Sequence, residues 1–168
     1  PLSNEQFRAA ITGCLKSAPT DCSKGPHGPI GAWDVSTVTA MSQAFRAAKE
    51  FDGDVANWDV SSVTTMYMMF SNAQAFNSDV SKWVVSSVTN MRGLFWEASS
   101  FNGDISKWDV STVTNMRYMF ASASSFNGDL SKWEVSKVTD MESSFSSASL
   151  FSGDISKLDF SKVINMRY

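Results

Sequence analysis

Histidine is almost missing from this sequence: His27 stands alone in a Gly/Pro-rich loop, with no second histidine to share a site. A Ser-His-Asp constellation or a zinc centre therefore has nothing to stand on. Long hydrophobic runs are missing too. None approaches the roughly 20 residues that a membrane span needs, and no basic-apolar-small leader opens the chain. Membrane insertion is not expected. Positive charge is not in excess: 14 Lys and Arg stand against 17 Asp and Glu, a net of −3. Nothing there draws nucleic acid. The first residue, Pro1, suits a processed chain or a piece of a longer one. Cysteine is limited to Cys14 and Cys22, close enough to close a short loop as a disulfide. A bridge there implies an oxidising setting: extracellular, at a cell surface or in an organelle lumen. The alternative is two unrelated reduced thiols.

What is present is repetition. Tryptophan recurs at 33, 58, 83, 108 and 133, each step 25 residues, with Leu158 next in register. Phenylalanine recurs at 45, 70, 95, 120 and 145 and again at 51, 76, 101, 126 and 151, and methionine at 41, 66, 91, 116, 141 and 166. Two columns thus hold ten of the twelve phenylalanines, too regular for a globule without internal symmetry. One such unit cannot bury its own apolar side, but stacked copies can.

Within the unit 101–125, Ile105, Trp108 and Val110 follow an Asn-Gly turn signal and predict a short strand over 105–110. Thr114 is placed to cap a short helix whose stripe is Met116, Met119, Phe120 and Ala123. The expected architecture is an α/β repeat solenoid, leucine-rich-repeat-like, with one short strand and one short helix per 25-residue coil over residues 31–168. Residues 1–30 fall outside the repeat. Ser3 with Gln6 forms a capping-box pattern ahead of Phe7, Ala10, Ile11 and Cys14, so an N-terminal helical cap and a loop are expected there. The last repeat is incomplete, and its end is expected to need a continuation or a covering partner.

The wording Gly-Asp-Ile-Ser-Lys-Trp-Asp-Val-Ser-Thr-Val-Thr-Asn-Met-Arg-Tyr-Met-Phe, residues 103–120, resembles the BspA-like leucine-rich-repeat surface proteins, in the subfamily of mycoplasma lipoproteins and unicellular algae. That resemblance implies adhesion or protein binding at a surface and no particular chemistry.

Asp54, Asp79, Asp104, Asp129 and Asp154 form one carboxylate row, too sparse for a calcium ion that takes about six or more oxygen ligands. They are better read as acceptors for turn N–H groups. Identical carboxylates on a ladder also lack the two unlike environments that acid–base catalysis needs. Thr39, Thr64, Thr89, Thr114 and Thr139 could suggest an ice-binding array but read as helix N-caps. Lys82, Lys107, Lys132 and Lys157 alternate with Asp109, Glu134 and Asp159 on an outward, mixed-charge face. No catalytic residue, cofactor or metal is expected.

Departures from the repeat carry more information, because packing explains only what recurs. Trp96 stands in a column otherwise held by Arg46, Ser71, Ala121 and Ser146. With Tyr67, Met68 and Tyr118 it should form an outward aromatic patch, and Val84 interrupts an acidic column on another face. The expected function is a non-catalytic protein-interaction or adhesion scaffold. The rivals are a structural subunit docked through its C-terminal end and a cell-surface glycan binder.

Overall fold

The computed structural model describes residues 1–25 and 27–167. The chain opens with α1, Asn4–Ser17, started by a capping box. Gln6 N–H donates to the Ser3 hydroxyl at 3.2 Å, and Ser3 N–H donates to the Gln6 side chain at 2.9 Å. The face carrying Phe7, Ala10, Ile11 and Cys14 is buried, and Phe7 meets the edge of Trp58 at 5.6 Å between ring centroids. Cys14 and Cys22 are joined by a disulfide. Asn4 ties α1 to the first repeat: its side-chain oxygen accepts from Thr39 and Ala40 N–H at 2.9 and 3.2 Å, and its amide donates to the Thr39 hydroxyl at 2.9 Å. A single 3₁₀ turn, Ile30–Ala32, leads into the Trp column.

From there the units pack one on the next. The Trp33 indole N–H donates to Gly28 carbonyl at 3.1 Å, and from Trp58 on each indole of the column donates to a carbonyl 28 residues earlier, Trp58 to Ile30, Trp83 to Val55, Trp108 to Val80 and Trp133 to Ile105, at 2.9–3.1 Å. The indoles of Trp33, Trp58, Trp83 and Trp108 follow one another at 6.4 Å. Beside them Phe70–Phe76 and Phe95–Phe101 pair within a unit at 3.7 Å, and Phe70–Phe95 and Phe95–Phe120 stack between units at 5.9 Å. Two valine columns, such as Val85 with Val110 and Val88 with Val113, complete the core. A Cβ at Gly103 would sit 3.0 Å from the Phe101 ring, a tight contact in a column that nevertheless takes Ser78 one unit earlier.

The local elements differ from those the sequence predicts. Among the described residues the only helices are α1 and the 3₁₀ turn. In place of strands there are isolated parallel bridges, Ala40 to Thr65, Thr65 to Asn90, Asn90 to Asn115, Asn115 to Asp140 and Asp140 to Asn165. The segment 105–110 turns instead of extending, Trp108 N–H donating to Ile105 carbonyl at 3.1 Å.

The segment expected to be helical is a ladder of tight turns. Met119, Ala121 and Ala123 N–H donate three residues back, to Met116, Tyr118 and Phe120, at 3.0–3.2 Å. Met116, Tyr118, Phe120 and Ser122 N–H instead donate across to Asp140, Glu142, Ser144 and Ser146 of the next unit, at 2.7–3.0 Å. Past its first turn a helix would spend such donors on itself. The turns free alternate N–H groups to bind the next unit, at the cost of left-handed backbone at Tyr118 and Ser122, both φ 57°. The helix-like stripe arises because this ladder, like a helix, puts residues i, i+3, i+4 and i+7 on one side. Met116, Met119, Phe120 and Ala123 are all buried.

Candidate binding face

The ladder's buried Met, Phe and Ala columns, 41 to 141, 45 to 145 and 48 to 148, recur unchanged, the column 44 to 144 holds Ala, Met, Leu, Met and Ser, and the positions facing out vary from unit to unit. Reading along the stack, the column 42, 67, 92, 117, 142 holds Ser, Tyr, Arg, Arg and Glu, and the column 43, 68, 93, 118, 143 holds Gln, Met, Gly, Tyr and Ser. Both feed one cluster in the middle units.

Trp96 is half-buried and stacks on Tyr118 of the next unit, ring centroids 5.4 Å apart at 24°. The Arg117 guanidinium carbon lies 4.8 Å from the centre of the same Tyr118 ring. Arg117 Nη2 donates to Glu142 Oε1 at 2.8 Å and to the Tyr118 hydroxyl at 3.0 Å, and that hydroxyl donates to Glu142 Oε1 at 3.3 Å. Asn165 adds a bond to Glu142 Oε2 at 3.3 Å. The Tyr118 hydroxyl first, and the Glu142 charge after it, push Arg117 further towards the protonated form. The pair is 28% and 20% exposed, so its charge is largely spoken for within the chain.

One unit earlier Arg92 sits over the Tyr67 ring, 5.8 Å from its centroid. Among the described residues no carboxylate lies within 4.0 Å of Arg92, and its Nε is shielded from solvent without a hydrogen-bond partner. A groove of about 150 Å³ lined by Arg46, Ala47, Ser71, Asn72, Trp96 and Glu97 runs beside Trp96. A wider one of about 510 Å³, between the end of α1 and the first unit, shares Arg46 and Ala47 with it.

Of the residues singled out from sequence, the structure brings Trp96 and Tyr118 together and sets Tyr67 against Arg92. Met68 is a correction: it is buried, only 6% exposed. Its side chain lies against Gly93, where a Cβ would come within 3.1 Å of Met68 Cγ, so the missing side chain of the next unit gives Met68 its place. Val84 is 56% exposed. It stands where Asp59 and Asp109 accept the N–H of Ser61 and Ser111, both at 3.1 Å, and belongs to another column. Sequence reading missed Arg92, Arg117 and Glu142. The available signal was the change of charge sign down column 92, 117, 142, which appears only when the repeats are compared position by position.

The remaining polar columns serve the backbone. Asp54, Asp79, Asp104, Asp129 and Asp154 each accept the N–H two residues on, at 2.9–3.0 Å. Hydrogen bonds from Ser81, Ser106, Ser131 and Ser156 hold Asp79, Asp104, Asp129 and Asp154 below the ordinary carboxylate range. The threonines cap no helix, because none follows them. Thr64, Thr89, Thr114 and Thr139 donate both N–H and hydroxyl to the carbonyl of the threonine one unit back, at 2.8–2.9 and 3.2–3.3 Å. Lys107 and Asp109 are both exposed, and among the described residues no ion pair forms along that row. His27 is exposed, edge-on to Trp33 at 5.9 Å. Among the described residues no group of three or more His, Cys, Asp or Glu is placed to hold a metal ion, and no helix is long and apolar enough to cross a membrane.

The family model described as "Mycoplasma protein of unknown function, DUF285" matches residues 15–111 and again residues 82–168. No curated protein and no solved structure matches.

Proposed function

Because the chain belongs to the DUF285 family, a BspA-like repeat family, we propose that it is a non-catalytic protein-binding scaffold. We read it as a repeat solenoid of the leucine-rich-repeat kind in which turn ladders replace the strand and the helix. The 25-residue offset of the inter-unit hydrogen bonds supports that reading. Its place among the mycoplasma and algal surface proteins, and a setting outside the reducing cytosol, are supported by the repeat wording and by the Cys14–Cys22 bridge.

The observation that carries the binding role is the Trp96–Tyr118 stack. It is a half-buried aromatic pair on a face whose other positions change from unit to unit, beside a groove and flanked by arginines. Trp, Tyr and Arg are the residues that most often dominate protein interfaces: the two aromatics bury much area with little loss of rotamer freedom, and the guanidinium adds directed hydrogen bonds. The test is affinity capture from the native source on the wild-type chain and on Trp96→Ala. Defined proteins held by the wild type should be weakened about tenfold or more by the substitution, while the melting temperature of the isolated chain changes little. Identical protein sets on both would remove this face from consideration. Retention of sugars on a glycan array, with no protein captured, would favour glycan stacking on the same rings.

A further inference from the structure

We propose that Arg92 is the receptor for a carboxylate of the partner protein, so that the face selects an acidic side chain next to an apolar one. This rests on the protein-binding reading and adds the chemistry of the partner. The chain supplies its own template. At Arg117 the guanidinium lies against a tyrosine ring, and the residue 25 positions on, Glu142, meets it with a carboxylate at 2.8 Å. Arg92 occupies the same column and lies over a tyrosine from the unit before, Tyr67, because Gly93 stands where Tyr118 stands one unit on; the residue 25 positions beyond Arg92 is Arg117. Where the template has a carboxylate, Arg92 has a second cation.

The consequence is a half-buried arginine with no carboxylate of the described residues within 4.0 Å. Its Nε is out of water without a partner, as is that of Arg117, whose guanidinium meets Glu142 through Nη2 instead. A cation partly stripped of water gains more from an incoming carboxylate than a freely solvated one, because the charge-assisted hydrogen bonds form in a lower local dielectric. The neighbouring Trp96 and Tyr118 rings give the rest of such a partner a surface to cover, which points to a peptide or protein chain carrying Asp or Glu beside an aromatic or aliphatic residue.

The test uses the whole chain to select from a random-peptide display library, followed by titration of the selected peptides in solution. The expected result is enrichment of sequences with Asp or Glu beside an apolar residue. Their affinity for the wild type should fall with added salt, and it should fall about tenfold or more in Arg92→Gln, the usual loss for a charged hydrogen-bonded pair. A second variant keeps Arg92 and reverses its neighbours, Arg117→Glu with Glu142→Arg. That change offers Arg92 an internal carboxylate and should weaken the same peptides to a similar degree. Acidic peptides that bind both variants as tightly as the wild type would overturn the proposal. Selection of non-acidic peptides that need Trp96 but ignore Arg92 would also overturn it, leaving the protein-binding face intact. Failure to select any peptide, with retention of polygalacturonate instead, would overturn both this proposal and the reading beneath it.

Discussion

Position 84 shows how much one side chain can decide. Its column mates at 34, 59, 109 and 159 are aspartates, each accepting the N–H of the serine two residues on. Val84 leaves Ser86 without that acceptor and exposes an apolar side chain instead. Val84→Asp should therefore stabilise the chain by about 0.5–1 kcal/mol, the net value of one hydrogen bond at a solvated turn, visible as a higher denaturation midpoint with unchanged slope. A midpoint equal to or below that of the wild type would mean that Val84 makes a contact the isolated chain depends on. The residue scale is also where sequence reading failed for Met68. Its burial is decided by the glycine 25 residues on, Gly93, and no property of residue 68 or its chain neighbours announces that.

At the scale of the element, the repeating unit derives its strength from aromatic columns whose burial depends on having a neighbour on each side. Phe95 is fully buried between Phe70 and Phe120, whereas Phe151 packs against Phe126 and Phe145 and is only partly buried. Phe95→Ala should cost about 3–5 kcal/mol, in the range for a buried aromatic, and Phe151→Ala clearly less, as read by denaturant titration. Equal losses would contradict burial as the cause. The columns, the spacing and the capping box ahead of α1 could be read directly, because burial and capping each demand a residue type at a fixed interval. The form of the backbone could not. A stripe at i, i+3, i+4 and i+7 fits a helix and a turn ladder equally, and what separates them is whether the N–H groups of Met116, Tyr118 and Phe120 bond within the unit or to the next. Of the binding face, Trp96 and Tyr118 stood out as departures from the repeat. Arg92 did not, since a lone surface arginine is ordinary until the template at Arg117 and Glu142 is seen beside it.

Across the whole molecule, the same carboxylate turn is written into unit after unit, so its titration should act on all of them together. Hydrogen bonds from the serine two residues on hold Asp34, Asp59, Asp79, Asp104, Asp109, Asp129, Asp154 and Asp159 below the ordinary carboxylate range. A group lowered on folding gives stability that is complete above its unfolded pKa and is lost as the pH falls through its folded one. The melting temperature should hold steady from neutral pH to about pH 5 and drop below about pH 4. Asparagine, which accepts the same N–H without titrating, should flatten that drop when it replaces several of these aspartates. A melting temperature at pH 3 equal to the neutral value would show that these turns contribute nothing to the fold. One further property belongs to the stack as a whole. Its two left-handed columns, 43 to 143 and 47 to 147, hold Gln, Met, Gly, Tyr and Ser, then Ala, Asn, Glu, Ser and Ser, and no Val, Ile or Thr, although those residues abound elsewhere in the chain. Branching at Cβ is what a positive φ tolerates least. The backbone thus works as a filter on sequence change, open to small, polar, acidic and aromatic side chains and closed to those branched at Cβ. A combinatorial library that spares the buried pair Met68 and Gly93 and randomises the other eight positions, with an alphabet lacking Val, Ile and Thr, would vary the surface and leave the stack beneath it alone.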